Sequence, residues 1–220
     1  MPSDFMSLLG TGILETLYMV VLSTLCAYII GIPVGVILNI TDKNGICPNK
    51  AVNAVLGVIV NLLRSVPFII LLIAILPFTR ALVGTTVGST ATIVPLVVSA
   101  APFVARMVES SLKEVDQGVI EAAESMGSSR MQIIWKVLLP EAKPSLIVGS
   151  AIAITTILGY SAMAGFTGGG GLGTIAINYG YYRYNNGVML VTVALLVIIV
   201  QIFQEVGMRI ANRSDKRINK

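Results

Sequence analysis

Apolar runs too long for a soluble fold are the strongest constraint on this chain. Residues 13–40 form one run with Glu15 as its only charge. A bilayer core needs about 20 residues of helix, so this run crosses with length to spare, tilted or projecting at one end. The runs at 87–108, 146–164 and 187–210 are also long enough. Residues 51–63 and 66–79 are each too short to cross, and the simplest reading joins them into one long segment over 51–79 that contains Arg64 and Pro67. The expected architecture is an all-α integral membrane protein with five transmembrane helices, about 13–40, 51–79, 87–108, 146–164 and 187–210. Charged residues are 12% of the chain, about half of the ~25% usual in soluble domains.

Within these runs a few residues have particular consequences. Gly31, Pro33 and Gly35 predict close packing or a bend late in the first span. Pro67 predicts a bend in the second, because it removes a backbone hydrogen bond. Arg64 has two readings. It is an interfacial anchor that snorkels to the headgroups, or it faces inward to pair with a carbonyl or line a polar cavity, since a lipid-facing arginine at the bilayer centre costs roughly 2.5–3.5 kcal/mol. No acidic dyad or triad is expected inside the spans. Glu15 and Glu205 read as interfacial, which argues against a proton-coupled carrier, where buried carboxylates form the relay.

The positive charges set an orientation. With the 41–50 loop inside, the inner side holds Lys43, Lys50, Arg106, Lys113, Arg130, Lys136, Lys143, Arg209 and the basic tail (residues 211–220, with Arg213, Lys216, Arg217 and Lys220). The outer side holds only Arg80 and Arg183. This bias predicts the N-terminal residues 1–12 outside and the C-terminus in the cytoplasm. The net charge of +4 is therefore a topology signal rather than a sign of nucleic-acid binding. No cleavable signal peptide is expected, because the first apolar run is far longer than a signal core of about 7–15 residues. No disulfide is expected between Cys26, in a span, and Cys47, in a loop. No metal site is expected in a chain with 0 histidines, the commonest metal ligand.

Residues 116–140, DQGVIEAAESMGSSRMQIIWKVLLP, are the longest polar interval between apolar runs. Asp116 can cap a short helix through Met126 by accepting free first-turn amides. Gly127 supplies the left-handed residue that ends it. Ser129 and Gln132 fit a capping box for a second helix, which Pro140 is expected to stop. Apolar residues at helical spacing (Val119, Ala122, Ala123 and Met126, then Ile133, Ile134, Val137 and Leu138) predict one face against the protein's own body. The other face, with Glu121, Glu124, Ser128 and Arg130, can meet something soluble.

This elbow resembles the EAA loop of ATP-binding-cassette importer permeases. The carrying residues are Glu121-Ala122-Ala123, Gly127 and Val137-Leu138-Leu139-Pro140, with Val137 where the family usually has isoleucine. The resemblance implies a cytoplasmic coupling helix seated on a separate ATPase, with Glu121, Ala122, Ala123, Glu124, Gly127, Ser128 and Arg130 in the coupling role. More widely, residues 13–210 resemble the methionine-uptake permeases of this importer class. The segments that carry this are Asn61–Leu72, Pro77–Arg80, Val83–Thr86, Ala101–Glu109 and Gly159–Met163. What this implies is a type I ABC importer permease fold working as a homodimer with two ATPase subunits. An extracytoplasmic methionine-binding lipoprotein would deliver L- or D-methionine. No cofactor is expected on this chain, and ATP and Mg are expected on the partner ATPase. Consistently, the chain has no G-x-x-x-x-G-K-[ST] segment. Its GGGGLG run (168–173) matches the dinucleotide fingerprint in form only, because a membrane helix precedes it rather than a strand.

Gly159-Tyr160-Ser161-Ala162-Met163-Ala164-Gly165 closes the fourth span. Small residues permit close helix approach, while Tyr160 and Ser161 bring hydroxyls. Met163 is either ordinary gap-filling core or, facing a twofold axis, one half of an apolar gate. With Arg64, these form the candidate translocation path. Residues 165–186 read as a glycine- and tyrosine-rich connection. A secondary carrier fits poorly, since such carriers often pair inverted repeats and none is visible. A channel or anchor leaves the elbow unexplained.

Overall fold

The computed structural model describes residues 5–214, and every regular element among them is helical. Met1–Asp4, part of the expected outer N-terminus, and Lys216, Arg217 and Lys220 of the basic tail lie outside the described residues. The chain runs through α1 (Phe5–Ile40), α2 (Lys50–Ser65), α3 (Phe68–Ala74), α4 (Leu76–Val83) and α5 (Ser89–Lys113). Then follow α6 (Gln117–Ser125), α7 (Arg130–Ile133), α8 (Leu139–Glu141), α9 (Lys143–Met163), α10 (Gly171–Ile175) and α11 (Asn186–Ser214). Among the described residues four helical stretches are long and apolar enough to cross a membrane: Phe5–Ile40, Ser89–Lys113, Lys143–Thr167 and Asn186–Arg213. A fifth exists if α2 and α3 together count as one span.

The expected single segment over 51–79 is broken. The chain bends by 99° between α2 and α3. Pro67 takes an extended conformation (φ −58°, ψ 135°), and a residue before proline is itself driven out of the α region. Two consecutive non-helical residues therefore end α2. By contrast, Pro33 lies inside α1 without interrupting it.

The chain divides into two compact units. The first comprises Met1–Cys26, Val66–Ala100 and Ala153–Gln204. Here the stretch expected as a connection is folded: a 3-10 turn at Ala164–Thr167, then α10, then a π turn at Ala176–Tyr181. Side chains of α1 hold it in place. The Glu15 carboxylate accepts the Gly171 N–H at 2.6 Å, and Thr16 Oγ1 accepts the Leu172 N–H at 2.9 Å. Thr92 Oγ1 donates to the Gly169 carbonyl at 3.1 Å. Glu15 is thus a structural acceptor for α10's free amides, not merely an interfacial charge. Gly170 and Gly171, at φ 83° and 71°, give the left-handed turn that aims those amides at it.

The second unit comprises Ala27–Ser65, Ala101–Ile152 and Glu205–Lys220. Here α1 lies close against α5. A Cβ on Gly31 would come within 2.6 Å of Val104 Cγ1, and one on Gly35 within 2.7 Å of Val108 Cβ. Two glycines one turn apart let the helix surfaces meet, the small-residue packing expected from their spacing.

Candidate functional site

The elbow grows from α5. Asp116 sits extended (φ −61°, ψ 129°), and its carboxylate accepts the Gly118 N–H at 2.7 Å, which starts α6. Met126 closes the helix and Gly127 follows at φ 78°. The Gly127 N–H then donates to Glu124 O at 2.9 Å and the Ser128 N–H to Ala123 O at 3.1 Å. These bonds satisfy carbonyls that the helix end would leave open. Ser129 and Gln132 form the expected capping box: the Ser129 N–H donates to Gln132 Oε1 at 2.8 Å, and the Gln132 N–H to Ser129 Oγ at 3.4 Å.

Pro140 does not stop the second helix. The chain passes from α7 through a π turn at Ile134–Leu138 into α8, where Pro140 lies in the first turn. A first-turn residue has no intrahelical use for its N–H, so proline is accommodated there. The wider π turn lets a new helix start without a loop.

Ile120, Ala123, Ile133, Ile134 and Leu138 are buried and hold the elbow to its own unit. Ala123 therefore shapes the elbow rather than its outer surface. Glu121, Ala122, Glu124, Gly127 and Arg130 are exposed, and Ser128 is half-buried. Val119, Ala122 and Met126, expected inward, point outward instead, Met126 being 78% exposed. Met131 and the chain's single tryptophan, Trp135, are exposed as well, Trp135 by 66%. The outer face thus mixes charge with large apolar side chains, the composition of a docking surface. The apolar part was missed because helical spacing alone assigned Val119 and Met126 to the inner face.

A chain of ion pairs lies where α5 meets the elbow. Lys113 Nζ reaches Asp42 Oδ2 at 2.7 Å and Glu109 Oε1 at 2.9 Å. Arg106 Nη1 reaches Glu109 Oε2 at 2.6 Å. Glu109 is only 6% exposed, so its charge is compensated from both sides, as burial requires. The Asp42 carboxyl is held below the usual carboxylate range, first by its hydrogen bond from Lys113 and then by the Lys43 backbone N–H. With the third span ended at 108, Glu109 had fallen outside it; α5 in fact continues to Lys113. The signal was present as Arg106, Glu109 and Lys113 at helical spacing.

Of the candidate path residues, the structure joins Tyr160 to Phe68. Their rings stack at 4.6 Å with 5° between planes. Ser161 is 2% exposed and donates to Leu158 O at 2.8 Å, so its hydroxyl is used inside its own helix. Met163 ends α9 with 47% of its surface exposed. It is therefore not core packing within this chain. Arg64 is exposed in the last turn of α2.

Residues 31–220 match the family described as binding-protein-dependent transport system inner membrane component. The probable D-methionine transport system permease protein MetI of Vibrio cholerae is 50% identical over 210 residues, covering 96% of this chain and 93% of that protein. The methionine import system permease protein MetP of Bacillus subtilis is 48% identical over 181 residues, covering 82% of each. Among solved structures, a chain of the inward-facing MetNI methionine ABC transporter superposes with a TM-score of 0.96 at 48% identity, covering 98% of this chain and 100% of that one. An amino acid ABC transporter chain at 18% identity and TM-score 0.79, covering 96% of this chain and 95% of its own, shares the fold alone. A family match over most of the chain, near-complete relatives at about half identity, and the elbow that the fold displays lead to one statement: the chain belongs to the binding-protein-dependent transport system inner membrane components.

Proposed function

We propose that this chain is the permease subunit of an ATP-driven methionine importer in the cell membrane. The single observation that carries this is the near-complete superposition, at 48% identity, on a chain of a methionine ABC transporter. ATP hydrolysis belongs to separate ATPase subunits. In the assembly, two copies of the chain pair in the bilayer, two ATPases carrying ATP and Mg dock on the elbows, and a methionine-binding lipoprotein delivers substrate from outside. Glu121, Ala122, Glu124, Gly127, Ser128 and Arg130 meet the ATPase, joined by Met126, Met131 and Trp135. ATP binding draws the elbows together, and the spans rock toward the outward-open state. Each ligand acts by favouring one of the two states. Arg64, Tyr160 and Met163 belong to the path, and paired Met163 side chains close it.

Proteoliposomes holding this chain, its ATPase and its binding protein test this reading. ATP-driven uptake of labelled methionine, competed by methionine and not by other amino acids, is the expected result. ATP-driven uptake of another amino acid or a small peptide overturns the substrate. No ATP-dependence in an assembled complex overturns the importer reading.

The proposed topology puts the N-terminus outside, and both the elbow and C-terminus inside. Cys47 tests it, since it is half-buried in the loop after α1. In a Cys26→Ser background, a membrane-impermeant maleimide is expected to label Cys47 in inside-out vesicles and to leave it unlabelled in intact cells. The reverse pattern inverts the topology.

A further inference from the structure

α2 is held in its unit by polar ties more than by burial. Of its residues only Val60 is buried, while Val55, Val58 and Leu62 are exposed. Apolar burial within the chain therefore fixes it weakly. At its start, Asn53 Nδ2 donates to Leu38 O at 2.7 Å and to Thr41 Oγ1 at 3.2 Å. Farther along, Arg106 of α5 donates through Nη2 to Gly57 O at 3.1 Å, and through Nε and Nη2 to Asn61 Oδ1 at 3.2 and 2.9 Å. Asn61 must present its oxygen, because a guanidinium has no acceptor. The same guanidinium grips buried Glu109 through Nη1, so its plane is set from two sides.

The helix that carries Arg106 is also the stem of the elbow. From Arg106 it continues through Glu109 to its end at Lys113, and a short turn leads on to Asp116, the cap of α6. The neighbouring loop joins the same stem through the Lys113–Asp42 ion pair at 2.7 Å. A cavity of about 280 Å³ lies where that loop faces the elbow, lined by Asn44, Gly45, Gln117, Ile120 and Leu138 among others. Polar ties to α5, rather than packing across that gap, connect α2 to the moving part.

We propose that Arg106 and Asn61 are positioning residues that carry the elbow's displacement to α2, an inference that rests on the importer reading. The fork stays closed through the cycle, so α5 and α2 move as one body and Arg64, on the last turn of α2, moves with them. Arginine suits this role because its planar, multidentate fork resists the rotation that a single point charge would permit.

The test uses the full transporter in proteoliposomes, with methionine uptake and ATP hydrolysis measured together. Asn61→Leu removes the acceptor at similar volume. Uptake per ATP is expected to fall roughly tenfold, the scale of losing hydrogen bonds to a charged group, while stimulated hydrolysis and assembly persist. Asn61→Asp keeps an acceptor oxygen and is expected to hold the parent ratio. Arg106→Lys keeps the charge beside Glu109 without the fork and is expected to lose the ratio as Asn61→Leu does, which keeps the proposal open to refutation if Asn61→Leu fails to assemble. An unchanged ratio in Asn61→Leu or Arg106→Lys, with ATP-driven uptake by the parent, overturns the tie alone. Equal losses in Asn61→Leu and Asn61→Asp overturn it too. A parent without ATP-driven uptake overturns the importer reading and the tie with it.

Discussion

Gly127→Asp is expected to abolish ATP-driven methionine uptake while the permease still folds and inserts. Gly127 sits at φ 78°, where a residue with a Cβ pays about 1–2 kcal/mol and aspartate falls at the tolerant end. Nothing lies within 4 Å of the position a Cβ would take, so no clash adds to that cost. Against a folding stability of about 5–15 kcal/mol the change is bearable. The damage lies in the added carboxylate on the outer face of the elbow, beside Glu121 and Glu124. Pressed against a partner without a matching cation, such a charge costs several kcal/mol, and each 1.4 kcal/mol is about tenfold in docking affinity. Gly127→Asn takes the same left-handed backbone without charge and is expected to keep most of the uptake. The measurement is uptake in proteoliposomes beside co-purification of the ATPase. Full uptake by Gly127→Asp removes the elbow from the docking surface. Equal loss in both variants transfers the cause from charge to backbone.

Met163→Ala is expected to raise ATP hydrolysis in the absence of binding protein and to let small solutes leak, with little change in folding. Because Met163 is 47% exposed at the end of α9, truncating it opens no core cavity. Exposed substitutions of this kind stay within about 0.5 kcal/mol. If two copies meet there, the truncation removes a flexible apolar plug from each side. The closed state then loses contacts that the open state never had, and the equilibrium shifts toward open. Basal hydrolysis in detergent and dye efflux from loaded proteoliposomes read this directly. Parent-like values in both would remove Met163 from the gate. Ser161→Ala is a fitting comparison, because that hydroxyl is bonded within its own helix and the change is expected to leave leak unaltered.

The features legible in the sequence are those made over a few residues. Hydropathy alone marks the long spans, because a bilayer admits little else of that length and apolarity. The elbow's caps were also legible: Asp116, Gly127, and the Ser129–Gln132 pair act on backbone groups two to three residues away, and no tertiary partner is needed to predict them. The inward faces of Ala123, Ile133, Ile134 and Leu138 follow from local periodicity, whereas Ile120, which that periodicity does not single out, is buried and Val119, Ala122 and Met126 are exposed.

Other features depend on residues far apart in the chain or on competition between local rules, and the folded structure alone resolves them. Glu15 looked like an interfacial charge until the folded glycine segment, 156 residues onward, brought the Gly171 amide to it. Arg106 and Asn61 are 45 residues apart, and either could have faced lipid, water or its own helix. The proline rules did not rank the outcomes: Pro67 breaks its segment, Pro33 is carried inside α1, and Pro140 starts a helix it was expected to end. In each case the missing N–H donor is the same, and its place in the helix and the surrounding packing decide whether the chain bends, persists or begins again. Local chemistry thus determined the spans and the elbow, while long-range contacts, whose entropy cost is recovered only when many form together, decided how those parts are tied into a machine.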